Sequence, residues 1–318
     1  MPAHTSPPPA PRPPAQPAVD DGTGAPAVED SQPVARQFTP PALGETITVD
    51  GKYYFIGNFI GKGSFGDVYE CTDEWSNELV AKILVPKNQT YDEVKESWLA
   101  ELHKLMELRH PNVTFIHQAF EYKDTFYLVI ERCSMTLDAI INDPKLNHEL
   151  WVPYVARDVL QALDYFHLLG YVHKDIHAGN VFVAQSFDRM VPTKDPVWSF
   201  KIGDLGISRL AADIRIFNTL LAQWMVPPEA LDPNEFGPVS RATDIYHTAL
   251  LLLALLVGRT PSFTQDEVRA GAPRQLAESL NSKYAPAVAK ALRRHTSART
   301  PTAMQFWREL SSLTQDAT

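Results

Sequence analysis

Two cysteines in 318 residues, Cys71 and Cys133, cannot build a disulfide framework, and neither has a partner at metal-ligand spacing. The expectation is a chain that works in a reducing cytoplasm. Positive charge is also scarce. Lys and Arg number 29 against 38 Asp and Glu, for a formal net charge of −9. That balance argues against a nucleic-acid-binding surface, which needs clustered basic residues. It leaves room for a local donor-rich cleft that binds a phosphate. No apolar run is long: Ala249–Val257 covers about half of the ~20 residues that span a bilayer and reads as a buried core helix, so no membrane span is expected. The first residues lack the basic region and apolar core of a secretion signal. Internal repeats are absent, and nothing requires more than a monomer. What is present, 44% hydrophobic with 21% charged residues, suits a globular domain with a sizeable core.

Proline divides the chain. Twelve of its 26 prolines fall before Ala42, among alanines and a few acids. Each fixes φ and removes a backbone donor, and few large apolar residues offset the ordering entropy, so residues 1–45 are expected to be a disordered tail. The run Pro7-Pro8-Pro9-Ala10-Pro11 suits polyproline II and could serve a proline-reading partner domain; a passive linker is the other reading. From Lys52 the pattern changes. Runs at 53–60, 66–71 and 78–84 are β-branched or aromatic and separated by turn residues, as in a strand meander. Thr90 and Glu93 have capping-box spacing, and behind them Trp98, Leu102, Leu105 and Met106 recur at helical intervals. Two further strands are predicted at 113–122 and 125–131. Beyond Asn147 the pattern is mostly helical, with Trp151, Val155, Val159, Ala162 and Phe166 on one face and further helices at 249–257 and 285–292. A β-rich first third and an α-rich remainder predict an α+β chain of two lobes with a cleft between them.

Four features carry chemistry. Gly61-Lys62-Gly63-Ser64-Phe65-Gly66-Asp67-Val68 lies on a strand–turn–strand, where glycines let the backbone fold over a phosphate and aim N–H groups at it. No helix opens at Gly66, so this is not a dinucleotide fingerprint. Lys82 follows in the third strand, and Glu101 lies on the amphipathic helix beyond it. A lysine that grips phosphate oxygens must be held in place, and a helix-borne carboxylate can do that. The loop Tyr171-Val172-His173-Lys174-Asp175-Ile176-His177-Ala178-Gly179-Asn180-Val181 sets a carboxylate and an amide five residues apart between apolar anchors. Asp175 could accept a hydroxyl proton while Asn180 holds a metal. Lys201-Ile202-Gly203-Asp204-Leu205-Gly206 offers a further carboxylate after an apolar strand, suited to a metal that bridges two phosphates.

In this order and near these spacings, the chain from about Tyr53 to Leu313 resembles the protein kinase family, whose ordered set is a Gly-rich loop, strand lysine, helix glutamate, HRD-type loop with asparagine, and DFG-type aspartate. Val226-Pro227-Pro228-Glu229 resembles the APE element, Asp244-Ile245-Tyr246 the start of the family's central helix, and Arg299 the late arginine that pairs with Glu229. The segment 267–303 resembles bacterial eukaryote-like serine/threonine kinases. The resemblance implies a kinase domain at 46–315, with an N-lobe at about 46–131 and a C-lobe at about 134–315. It further implies transfer of the ATP γ-phosphate to a protein hydroxyl, serine or threonine in preference, with magnesium, or manganese in its place. Lys82, Glu101, Asp175 and Asn180 would be catalytic, and Asn180 and Asp204 would bind metal. The nucleotide would meet Ile60, Gly61, Gly63, Ser64, Phe65, Gly66, Val68, Val80, Lys82, Ile130, Glu131, Cys133 and Phe182. Ile130 would be the gatekeeper and 131–133 the hinge. Leu105, Ile116, Leu205 and His173 would stack as a regulatory spine.

Four departures modify that expectation. Val80 replaces the alanine usual two residues before the strand lysine, on the same strand face, and would narrow the adenine pocket. Lys174 replaces the arginine that receives an activating phosphate, and lysine cannot fork bidentately. With only Ser208 and Thr219 as hydroxyls between Asp204 and Glu229, phosphorylation-independent activity is expected, and Thr219 is the better phosphosite. His177 stands where serine/threonine kinases carry lysine, in a loop that also resembles aminoglycoside and choline kinases. A small-molecule phosphotransferase and a pseudokinase scaffold therefore stand as alternatives. Finally, the interval from Asp175 to Asp204 is long, which predicts an insertion at 184–199 projecting from the surface.

Overall fold

The computed structural model describes residues 36, 38–63, 66–86, 88–186, 190, 196–205, 209–210 and 226–315. The tail prolines before residue 36, Ser64, Phe65, Ser208, Thr219 and half of the predicted insertion lie outside them. The expected disordered tail of 1–45 is too long at its end: Phe38 packs on Tyr91 and Phe126, the Thr39 N–H donates to the Thr125 hydroxyl and the Gly44 N–H to the Ile56 carbonyl.

Alternating side chains build the first layer. Strands β1 (Thr46–Val49), β2 (Lys52–Gly63), β3 (Gly66–Asp73) and β4 (Glu78–Leu84) precede helix α1 (Tyr91–Glu107), and β5 (Ile116–Tyr122) and β6 (Thr125–Glu131) follow it. They form one antiparallel six-stranded sheet in the order β1-β2-β3-β4-β6-β5. One face closes over a core of Ile47, Ile56, Leu79, Ala81, Ile83 and Val129. On α1 the Thr90 hydroxyl accepts from the Glu93 N–H while the Glu93 carboxylate accepts from the Thr90 N–H at 2.7 Å, the predicted capping box. Trp98 and Leu105 bury as the period predicts, and the Trp98 indole donates to the Tyr127 carbonyl at 3.0 Å. Met106 does not: it is half exposed, since a residue next to Leu105 points about 100° away around the helix.

A short strand β7 (Met135–Thr136) and helix α2 (Leu137–Ile141) lead to a 3-10 turn at His148–Trp151 and helix α3 (Val152–Leu168). After β8 (Tyr171–Val172), strands β9 (Val181–Ser186) and β10 (Val197–Ile202) form a hairpin joined to β7, and β11 (Arg209–Leu210) pairs with β8. Both ends of the predicted insertion are thus paired strand, and Trp198 packs on Trp151. The strand expected from Val113 starts at Ile116, because 112–114 run beside β10 instead: Ile202 N–H donates to the Asn112 carbonyl and Thr114 N–H to the Ile202 carbonyl.

Helices α4 (Pro228–Leu231), α5 (Pro233–Phe236), α6 (Arg241–Val257), α7 (Gln265–Ala270), α8 (Ala272–Ser279), α9 (Ala285–Ala291) and α10 (Ala303–Gln315) complete the chain. The apolar run is only the second half of α6, which is buried from Thr243 to Leu255 and contacts α3 and α9. Ser240 caps it, and Gly258, at φ 71° in the left-handed region, ends it. No helix among the described residues is long and apolar enough to cross a membrane.

One buried ion pair fixes the helical layer. Arg299 forks onto Glu229 at 2.8 and 2.6 Å, and its remaining N–H groups reach the carbonyls of Ala242, Arg293 and Arg294, so all five donors are used. The Thr243 hydroxyl donates to the same carboxylate at 2.7 Å. Replacing Arg299 by Leu strands a buried carboxylate and three carbonyls, at a cost of about 3–5 kcal/mol. Urea unfolding is expected to show that loss, and a change below about 1 kcal/mol would contradict it.

Candidate active site

Alternate residues of β3 and β4, a bulged stretch of β2 and the end of β6 line a cleft of about 580 Å³, completed by 132–136 and the start of β9. Ile60, Val68, Val80, Ile130, Cys133 and Phe182 line its apolar end, with Thr114 and Met135, which the sequence did not single out. Lys82, Glu101, Asn180 and Asp204 line its polar end. Glu70 also faces in, two residues from Val68. That period-2 relation was a usable signal. It binds Asn58 at 2.9 Å and Arg132 at 2.8 Å across the cleft mouth. Gly61 and Gly66 do not line the cleft. Gly61 has open space around it, whereas a Cβ on Gly66 would meet the Ile83 carbonyl at 2.0 Å, so that glycine is required by strand packing. Gly203 is similarly forced: a Cβ there would meet the Phe182 ring at 2.5 Å.

Three distant segments meet at Lys82. Its ammonium contacts Glu101 at 2.7 Å and Asp204 at 3.0 Å, and all three side chains are largely buried. Burial opposes the charge on Lys82, but the two carboxylates outweigh it and hold its pKa above the usual lysine range. Lys104, also buried on α1, donates to the Leu205 carbonyl at 3.2 Å, so the helix grips both sides of the Asp204–Leu205 step. Asp204 itself has φ 55°, a left-handed conformation unusual for a residue with a Cβ.

The loop with Asp175 is braced from beneath. Asp244 on α6, fully buried, accepts from the His173 N–H at 3.0 Å, the Lys174 N–H at 2.7 Å and the His167 ring at 2.8 Å. Burial pushes its carboxyl pKa up, yet these donors more than reverse that and hold it below the ordinary range. They also hold Lys174 at φ 72°. His173 Nδ1 accepts from the Asp175 N–H, so Nε2 carries the proton toward the Gly203 carbonyl at 3.3 Å; the ring is neutral and burial lowers its pKa. Leu105, Ile116, Leu205 and His173 are all buried.

Asn180 donates to the Asp175 carbonyl at 3.0 Å and its carboxylate at 3.1 Å, which turns the amide oxygen away. That oxygen and the Asp204 carboxylate are hard donors of the type magnesium takes beside substrate phosphates. No cluster of three or more His, Cys, Asp or Glu suited to a metal exists among the described residues. Glu131, expected at the hinge, uses its carboxylate structurally, accepting from Phe115 N–H at 2.7 Å and from Lys201 at 2.7 and 2.8 Å. Burial pushes the Cys133 thiol up to about 12, with the Glu131 charge adding to it.

The family model of the protein kinase domain matches residues 54–315, and the chain belongs to that family. Among curated proteins it is similar to the cell cycle serine/threonine-protein kinase CDC5/MSD2 of Saccharomyces cerevisiae, 26% identical over 231 residues, covering 72% of this chain and 31% of the relative. It is also similar to the serine/threonine-protein kinase PLK2 of Mus musculus, 28% identical over 254 residues with 73% and 35% covered. A probable myosin light chain kinase of Dictyostelium discoideum is 27% identical over 218 residues, with 67% and 66% covered. The chain spans about a third of the length of the first two.

The Asp175 pKa is pushed up by burial, but the neighbouring histidines outweigh this and lower it, His177 first among them. His177 Nε2 stands 3.6 Å from that carboxylate, while its Nδ1 accepts from the Gly179 N–H at 3.1 Å. His177→Ala is expected to raise the Asp175 pKa, seen as a shift of its carboxyl carbon titration to higher pH by NMR. An unmoved or lowered midpoint would contradict the contact.

Proposed function

We propose that this chain is an ATP-dependent protein kinase that phosphorylates serine or threonine, with residues 46–315 as its catalytic domain. The six-stranded sheet with α1 is the N-lobe, α1 is the family's αC helix, and the helical remainder is the C-lobe. The single observation that carries the reading is the Lys82–Glu101–Asp204 contact, in which a phosphate-gripping lysine is held beside a metal-binding carboxylate. Against the small-molecule alternative stands the bidentate Glu229–Arg299 pair, a feature of protein kinases.

ATP enters with adenine between Val68, Val80 and Phe182, and its phosphates lie toward Lys82. Asn180 and Asp204 would hold magnesium, which would neutralise phosphate charge. Asp175 receives the acceptor hydroxyl. Its lowered pKa makes it a weak base, so its work is mainly orientation: the hydroxyl oxygen bonds to the γ-phosphorus, the bond to the β-phosphate oxygen breaks, and the proton passes to Asp175 late. Lys104 and Glu101 on one helix couple the position of α1 to the Asp204 turn, which favours activity without activation-segment phosphorylation. The proline-rich tail before residue 36 would be a linker or would serve a proline-reading partner, and the compartment would be the cytoplasm.

With labelled ATP, magnesium and a generic protein substrate, transfer is expected to fall about 10²–10⁴-fold in Asp175→Ala with little change in KM for ATP. Lys82→Met is expected to remove it. Acid hydrolysis of the product should release phosphoserine or phosphothreonine. Phosphotyrosine alone, or transfer to small alcohols only, would overturn the assignment.

A further inference from the structure

A second groove, of about 820 Å³, shares no lining residue with the nucleotide cleft. It opens between the 3-10 turn at His148–Trp151, the start of α3, the outer end of β10 and residues 282–284. Aromatic rings and prolines make its walls: Trp151, Tyr154, Trp198 and Tyr284 with Pro153 and Pro196. The two indoles stand edge to face, centroids 5.3 Å apart at 80°. Leu150 and Tyr154 at the rim are each 65% exposed.

The polarity of this groove is one-sided. Its carboxylate, Glu149, already takes the Ser282 hydroxyl at 2.6 Å, and its ammonium, Lys283, lies over the Tyr284 ring at 5.2 Å. One anion and one cation, both engaged, leave the described residues of the walls without net charge. The indole N–H groups of Trp151 and Trp198 and the Tyr154 hydroxyl donate to no group among the described residues. Flat apolar surface, no net charge and spare donors together define the occupant.

We propose that the groove docks a proline-rich segment of a partner protein in the polyproline II form. Such a segment has no internal hydrogen bonds, so every carbonyl is a free acceptor, and its prolines carry no N–H that would need an acceptor from the walls. Pyrrolidine rings pack on Trp and Tyr faces while the indole and phenol donors take the carbonyls. A helical ligand spends its carbonyls internally and leaves those donors unmatched. Strand addition to β10 is poorly served, since two of its N–H groups already donate to Asp158 and Asn112. From Trp198 along β10 to Asp204 the chain covers roughly 20 Å. A docked substrate would thus keep a hydroxyl near Asp175 at high effective concentration. That substrate role rests on the kinase reading; the docking does not.

The probe is a fluorescently labelled decaproline peptide titrated into the full chain, with a Gly/Ser peptide of equal length as control. Saturable binding of decaproline alone is expected, with shifts of the Trp151 and Trp198 indole N–H signals. Tyr154→Ala and Leu150→Asp, both at exposed rim positions, are expected to weaken it about tenfold, with unfolding midpoint and phosphotransfer to a short free peptide unchanged. Absent binding, equal binding of the Gly/Ser peptide, or unchanged affinity in both variants would overturn the proposal. Binding that appears only after prolines 7–14 of the chain are replaced by serine would also overturn it, by assigning the groove to the chain's own prolines.

Discussion

The Lys82 ammonium holds the polar end of the cleft together. It is buried between two carboxylates that come from a helix and from a turn 122 residues away in sequence. Desolvating three charges is costly, and the attraction between them offsets that cost only when the geometry is close. A conventional core would place apolar side chains there. The sequence instead spends a strand position, a helix position and a left-handed aspartate on an arrangement that is tolerable only with all three members present. The neighbouring elements repeat the dependence: α1 also holds the Leu205 carbonyl through Lys104, so a shift of the helix would disturb both sides of the Asp204 turn.

Two further buried carboxylates act as fixed posts. Asp244 takes two consecutive backbone N–H groups of the Asp175 loop, which lets Lys174 sit at positive φ without fraying. Glu229 binds Arg299 and Thr243. Asp244 belongs to the polar first turns of α6 and Glu229 meets them through Thr243, so the apolar half of that helix anchors both in the core. The Asp175 loop therefore inherits its rigidity from the most deeply buried helix.

Much of this was legible. Strands β4 and β6 end where the β-branched runs end, and Thr90 caps α1 as its spacing to Glu93 predicts. Period-2 reasoning placed Val80 beside Lys82 in the cleft, and Ala81 between them packs into the opposite core. What escaped depended on partners distant in sequence. Nothing local shows that 112–114 would leave their expected strand to line β10. The apolar run announced only half of α6, because the other half buries Thr243, Asp244, His247 and Thr248, polar residues that pattern reading assigns to the surface. Strand β1 went unseen since Ile47 alone of its four residues is buried. Gly66 looked like a phosphate-loop glycine and is demanded by the Ile83 carbonyl.

The central claim is that the cleft is completed by a nucleotide's phosphates and a divalent cation held at Asn180 and Asp204. Calorimetric titration with a non-hydrolysable ATP analogue, with and without magnesium, tests it most directly. The account predicts one site per chain, tightened by magnesium in the wild type, and loss of the magnesium effect in Asp204→Asn. Binding of equal strength with and without the cation, or no binding at all, would contradict it.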